Sequence, residues 1–137
     1  MNVRFEKQAR YFFWVAGILT TVAAVPIMVS PVKGLHVLTG MSYYDVSPQL
    51  APIVGHWGMM VAGIGVLMFL AATRKELRKT AVIFATAEKV YIVSAALYCF
   101  LIHAPYADSY LVPLIADGTM AIGGLWYLLR SRALHQE

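Results

Sequence analysis

Residues 11–32, YFFWVAGILTTVAAVPIMVSPV, contain no Asp, Glu, Lys or Arg. At about 1.5 Å of rise per residue, roughly 20 such positions cross the ~30 Å hydrocarbon core of a bilayer, so this run alone is long enough for a transmembrane helix. Residues 46–73, VSPQLAPIVGHWGMMVAGIGVLMFLAAT, are equally free of charge and supply a second crossing. Two further stretches of the same length, about 80–103 and 109–129, are apolar except for Glu88, Lys89 and Asp117. Composition agrees: the chain is 60% hydrophobic and 13% charged, with a mean hydropathy of +0.67. Soluble domains are about 45–50% apolar and about 25% charged. The expected fold is an all-α membrane protein, one domain over 1–137, built as a four-helix transmembrane bundle with spans near 10–30, 53–73, 80–103 and 109–129.

Charge placement orients these spans. Arg4, Lys7 and Arg10 precede the first; Arg74, Lys75, Arg78 and Lys79 fill the link between the second and third; Arg130 and Arg132 follow the fourth. Nine of the eleven basic residues therefore share one side, which the positive-inside bias assigns to the cytoplasm, with both termini there. Lys33, Asp45 and Asp108 fall on the other side. The net charge of +4 follows from this topology and from anionic headgroups, so nucleic acid is not expected as a partner. The apolar run after Arg10 exceeds the 7–15 residues of a signal-peptide core, so an uncleaved first span is expected. A lone cysteine, Cys99, excludes an internal disulfide or a CxxC redox pair.

Between the first two spans, residues 32–40 set Val32, Leu35, Val37 and Leu38 against Lys33, His36 and Thr39, the pattern of a short amphipathic segment lying at the interface. In the second span, Gly58 and Ala62 are spaced as a small-xxx-small pair, as are Thr119 and Gly123 in the fourth. Packing within one bundle accounts for both.

The intramembrane charges carry the functional signal, because a charge in hydrocarbon costs at least ~2.5 kcal/mol and normally turns toward protein and a partner. Relative to the centres of their spans, Glu88 lies about 4–5 Å toward the basic side and Asp117 about 3 Å toward the other, adjacent levels on antiparallel neighbours. A Lys89–Asp117 pair beside an uncharged Glu88 is the expected arrangement. Glu88 and Lys89 differ by about 100° around the helix, which argues against both pointing into one cavity. The spacing of Phe84, Glu88, Tyr91, Ala95, Tyr98 and Ile102 places two tyrosines in line with the glutamate. His56 and Tyr98 share a level about 10 Å outside the middle, where, with His103, they would mark the mouth of a polar pocket. The candidate pocket-lining or ligand-binding set is His56, Glu88, Lys89, Tyr91, Tyr98 and Asp117.

HExxH, GxSxG, P-loop and GxGxxG motifs do not occur, and the histidines lie at different depths, so no catalytic set, metal site or cofactor is assigned. The glycine-rich second span with a polar residue near its outer start (His56, Trp57, Gly58, Met59, Met60, Val61, Ala62, Gly63, Ile64, Gly65), the loop-plus-amphipathic connection before it and the acidic residues in later spans resemble the small bacterial membrane proteins with DoxX-like domains. That resemblance covers nearly the whole chain and implies the inner membrane. It also implies an accessory subunit of a membrane complex, or a binder of a hydrophobic molecule such as a lipid or quinone, and it implies no reaction. Three readings remain: a non-catalytic binder or accessory subunit, whose partners are membrane lipids, a hydrophobic ligand, a partner subunit or a second copy; a small proton-coupled transporter using Glu88 and Asp117; and a membrane-embedded enzyme acting on a lipophilic substrate.

Overall fold

The computed structural model describes residues 3–40, 47, 49–104 and 107–133, and within them the chain is all-α. Five α-helices follow in order: α1 (Val3–Val29), α2 (Pro31–Thr39), α3 (Ala51–Ala71), α4 (Arg78–Leu101) and α5 (Leu111–Ala133). Short 3-10 turns at Lys75–Leu77 and Ala107–Tyr110 lead into α4 and α5. Four helices are long and apolar enough to cross a membrane, so the expected four-helix bundle with a short helix after the first is the observed architecture. Asp45 lies outside the described residues.

Local chemistry sets the helix ends. Proline lacks an N–H, so Pro26 removes one bond from α1, yet the helix runs past it to Val29 and Ser30 N–H donates to the Pro26 carbonyl at 3.0 Å. Helix α2 opens with Pro31 in its first turn, where a missing N–H costs nothing, and stops at Gly40, whose φ of 70° lets its N–H reach the His36 carbonyl at 2.9 Å. At the end of α4, His103 adopts φ 51°. His103 N–H donates to the Phe100 carbonyl at 3.2 Å and Ala104 N–H to the Cys99 carbonyl at 2.9 Å, a Schellman cap with histidine in the position glycine usually takes. His103 thus has a structural task, and it is exposed.

Helix α1 packs most extensively on α3, and α5 on α4, while α1 and α5 barely touch. Glycine makes the α1–α3 approach. A Cβ on Gly17 would sit 2.6 Å from the Phe69 nitrogen and 2.9 Å from the Gly65 carbonyl oxygen, and one on Gly58 would sit 2.8 Å from the Met28 nitrogen. A Cβ on Gly65 would collide with Thr21. Gly58 and Ala62 are buried in this seam, in line with packing inside the bundle. Gly34 brings α2 equally close to the backbone of Pro26 and Ile27, folding the short helix over the end of α1.

The basic end is tied by ions and aromatic rings. Arg78, 4% exposed, donates through Nη1 to Glu6 Oε2 at 3.0 Å and places Nη2 2.9 Å from Glu6 Oε1, a two-point grip on the carboxylate. Its Nε donates to the Ala71 carbonyl at 2.9 Å and its Nη2 to the Ala72 carbonyl at 3.3 Å, covering oxygens that the end of α3 leaves without helical partners. One guanidinium therefore joins α1, α3 and α4. Lys75 adds a second, exposed contact to Glu6 at 3.4 Å. Phe5 packs on Trp126 and Tyr127 with ring centroids 5.8 and 5.7 Å away, and Phe13 meets Tyr127 edge-on at 5.0 Å, so this end of α1 is also joined to α5.

Two outcomes test this account. Gly17→Ala forces backbone apart and lowers stability by about 1–3 kcal/mol, whereas Gly63→Ala, with no heavy atom within 4 Å of the new Cβ, leaves it within ~0.5 kcal/mol or raises it slightly, read from unfolding midpoints in detergent micelles. Arg78→Met strands a half-buried carboxylate and two helix-end carbonyls, and costs about 3 kcal/mol in the same measurement.

Candidate functional site

Because α1 is pinned to α3 and held from α5 by aromatic rings at the basic end, a cleft opens along the α1–α5 seam. Its volume is about 940 Å³. On the α1 side it is walled by Phe12, Ala16, Thr20, Ala23 and Ile27, and on the α5 side by Val112, Ala116, Met120 and Gly123. These facing residues are mostly small. Phe12 bridges the seam by resting against Gly123, where a Cβ would meet its ring at 2.6 Å, and Thr20 Oγ1 lies 3.6 Å from Met120 Sδ. Leu35, Leu38 and Thr39 of α2 close the end away from the basic residues, and Trp57 and Val61 of α3 complete it there.

The floor of the cleft carries the charges. Helices α4 and α5 run antiparallel with Thr86 against Gly124 and Val93 beside Gly118, a register that sets Lys89 between these two contacts and Asp117 just beyond the second, within reach of the lysine stem. Lys89 Nζ lies 2.9 Å from Asp117 Oδ1 and 3.0 Å from Glu88 Oε2. Lys89 is 6% exposed, and all three side chains line the cleft. The expected Lys89–Asp117 pair is present. The expectation that Glu88 and Lys89 would diverge fails, because the flexible lysine stem folds back to bridge its own neighbour and the facing helix. Glu88 Oε2 is buried and meets Lys89 as an ion pair, with no directed hydrogen bond among the described residues. Thr86 Oγ1 is likewise buried without a hydrogen-bond partner, beside a void of about 10 Å³ that Lys89 and Thr20 also line.

The remaining predicted residues do not join this site. Tyr91 and Tyr98 are 72% and 61% exposed, and Phe84 and Ile102 on the same stripe are also exposed, so that face of α4 looks outward. Glu88 stands at its edge. His56 is exposed on α3, and the outer polar mouth of His56, Tyr98 and His103 is not assembled. The reason is rotational: the α4 face that meets α3 and α5 runs through Ala81, Val82, Ala85, Thr86, Lys89 and Ala96, and the tyrosines lie on the opposite side. Sequence reasoning missed the α1 wall, the α2 roof and Trp57. The spacing of Ala16, Thr20 and Ala23, small residues three or four apart, was the available signal.

No family model matches the chain, and no curated protein or solved structure matches it. The fold itself defines the class: a four-helix integral membrane protein whose α1 and α5 leave a seam unfilled between them.

The ion triad gives a separable prediction. Lys89→Met leaves two carboxylates facing each other in a low dielectric and costs about 3–5 kcal/mol, while Glu88→Gln, Lys89→Met and Asp117→Asn combined restore much of that loss, because replacing a whole buried ion cluster is often near neutral. Thermal unfolding of the two variants side by side checks it.

Proposed function

We propose that this chain is a non-catalytic integral membrane protein that binds one lipophilic molecule, a lipid or quinone-like compound, in the α1–α5 cleft. The observation that carries the reading is the cleft itself: about 940 Å³ with mainly apolar walls and, among the described residues, one group of charged side chains on its floor. Ligand sites are typically ~300–1,000 Å³, mainly apolar, with a few polar groups that fix orientation. An intramembrane ion cluster that borders such a space is also where function concentrates in membrane proteins. The resemblance to DoxX-like proteins supports the same class of task, and the gathering of basic residues at one end supports an inner-membrane protein with that end in the cytoplasm. Bringing Glu88 and Asp117 to a shared lysine ties both acids in ion pairs, which favours a fixed site over the transporter reading.

Protein extracted gently and analysed by native mass spectrometry is expected to carry a small lipophilic adduct at about one per chain. Ala116→Trp, which fills the cleft from α5, is expected to remove it, whereas His56→Ala and Tyr98→Phe, on outward faces, leave it in place. A bundle that emerges empty, or that retains only a partner polypeptide whose helix occupies the seam, overturns the binder reading in favour of an accessory subunit.

A further inference from the structure

The charge balance of the cleft sets the class of its ligand. Lys89 is the one Lys or Arg among the described residues that line it, and its ammonium lies within 3.0 Å of both a glutamate and an aspartate oxygen. That ammonium already faces two carboxylates. With Glu88 protonated the triad is neutral and with all three groups ionised it carries −1, so in neither state does it hold excess positive charge, and among the described residues no second cation of α1, α2, α3 or α5 lines the space. Lys89 uses Glu88 Oε2 and Asp117 Oδ1, which leaves each carboxylate a second oxygen with acceptor capacity. An anionic headgroup, or the carboxylate of a fatty acid, would meet these oxygens with no free ammonium to receive it. Like charges in a low-dielectric space repel strongly. A cationic headgroup would instead hold both carboxylates ionised, two positive charges against two negative, and would donate hydrogen bonds to their second oxygens.

Resting on the binder reading, we propose that the cleft selects a lipophilic cation: an amphiphile whose amine or ammonium end sits against Glu88 and Asp117 beside Lys89, with its apolar chain lying between α1 and α5. The walls fit such a chain, since Ala16, Thr20, Ala23 and Ala116 leave room that larger side chains would fill. Charge complementarity separates this occupant from the two others the seam could hold. An anionic phospholipid lacks a partner there, and a transmembrane helix from a second copy of this chain would bring further apolar surface and, away from the basic end, no cation except its own Lys89.

The test compares three probes of equal chain length, dodecylamine, dodecanol and dodecanoate, added at matched concentration near neutral pH to the full chain in a non-ionic detergent. Adducts are counted by native mass spectrometry. Dodecylamine is expected to bind about tenfold more tightly than dodecanoate, with dodecanol between them. Glu88→Gln combined with Asp117→Asn releases Lys89 and is expected to reverse that order. Wild-type protein that takes dodecanoate as well as dodecylamine overturns the charge inference and leaves the binder reading standing, and the wild-type comparison decides this even if the double variant does not fold. Failure of every probe to bind, or binding that Ala116→Trp does not reduce, overturns both.

Discussion

Hydrocarbon gives transmembrane helices little hydrophobic reason to associate, so how closely two of them approach depends on packing alone. Helix α1 meets α3 through glycines whose missing side chains allow backbone to touch backbone, and a single added carbon at Gly17 would fall inside contact distance of α3. On its other side α1 is held from α5 by Phe5, Phe13, Trp126 and Tyr127 at the basic end. Rings set that separation. Further along the seam, Phe12 against Gly123 and Thr20 against Met120 still cross it, but Ala16, Ala23 and Ala116 are too short to fill it, and the cleft is what remains. The open space is therefore a consequence of side-chain size ordered along two helices.

The same packing explains where the charges can stand. Lys89 lies on the buried stripe of α4 and Asp117 on the facing side of α5, so both side chains meet between the two helices at the floor of the cleft. Lys89 bridges two carboxylates because its four-carbon stem reaches past its own helix. Such clusters rarely add net stability, since desolvating the charges consumes most of what their attraction returns. Retaining three ionisable groups at mid-membrane is easier to understand as the cost of recognition than as a means of holding the bundle together. Stability at the basic end has a different source, the Arg78 grip on Glu6 and on the last carbonyls of α3.

Helix α2 shows how a short element acquires meaning only in place. Its amphipathic pattern fits a segment at an interface, and Lys33 and His36 are exposed as that pattern requires. Leu35 and Leu38, however, roof the cleft, because Gly34 seats the helix directly on the backbone at Pro26 and Ile27. Pro26 is incorporated in α1, and the chain turns only at Ser30 and Pro31.

Hydropathy and length were enough to specify four membrane-crossing helices, a short helix after the first, and inward-turned Glu88, Lys89 and Asp117, because burial of apolar surface and the cost of a bare charge are properties of composition and depth. The helical period also grouped Tyr91 and Tyr98 on one stripe, with Glu88 at its edge and turned into the cleft. What it could not give is which way that stripe faces, since rotation about the helix axis is fixed by neighbours; here α4 turns its alanines and Thr86 inward and its tyrosines out. His56 is exposed and does not line the α1–α5 cleft, and His103 caps α4. The unfilled α1–α5 seam depends on the relative sizes of side chains from helices about a hundred residues apart in the chain, and only their assembly in three dimensions decides it.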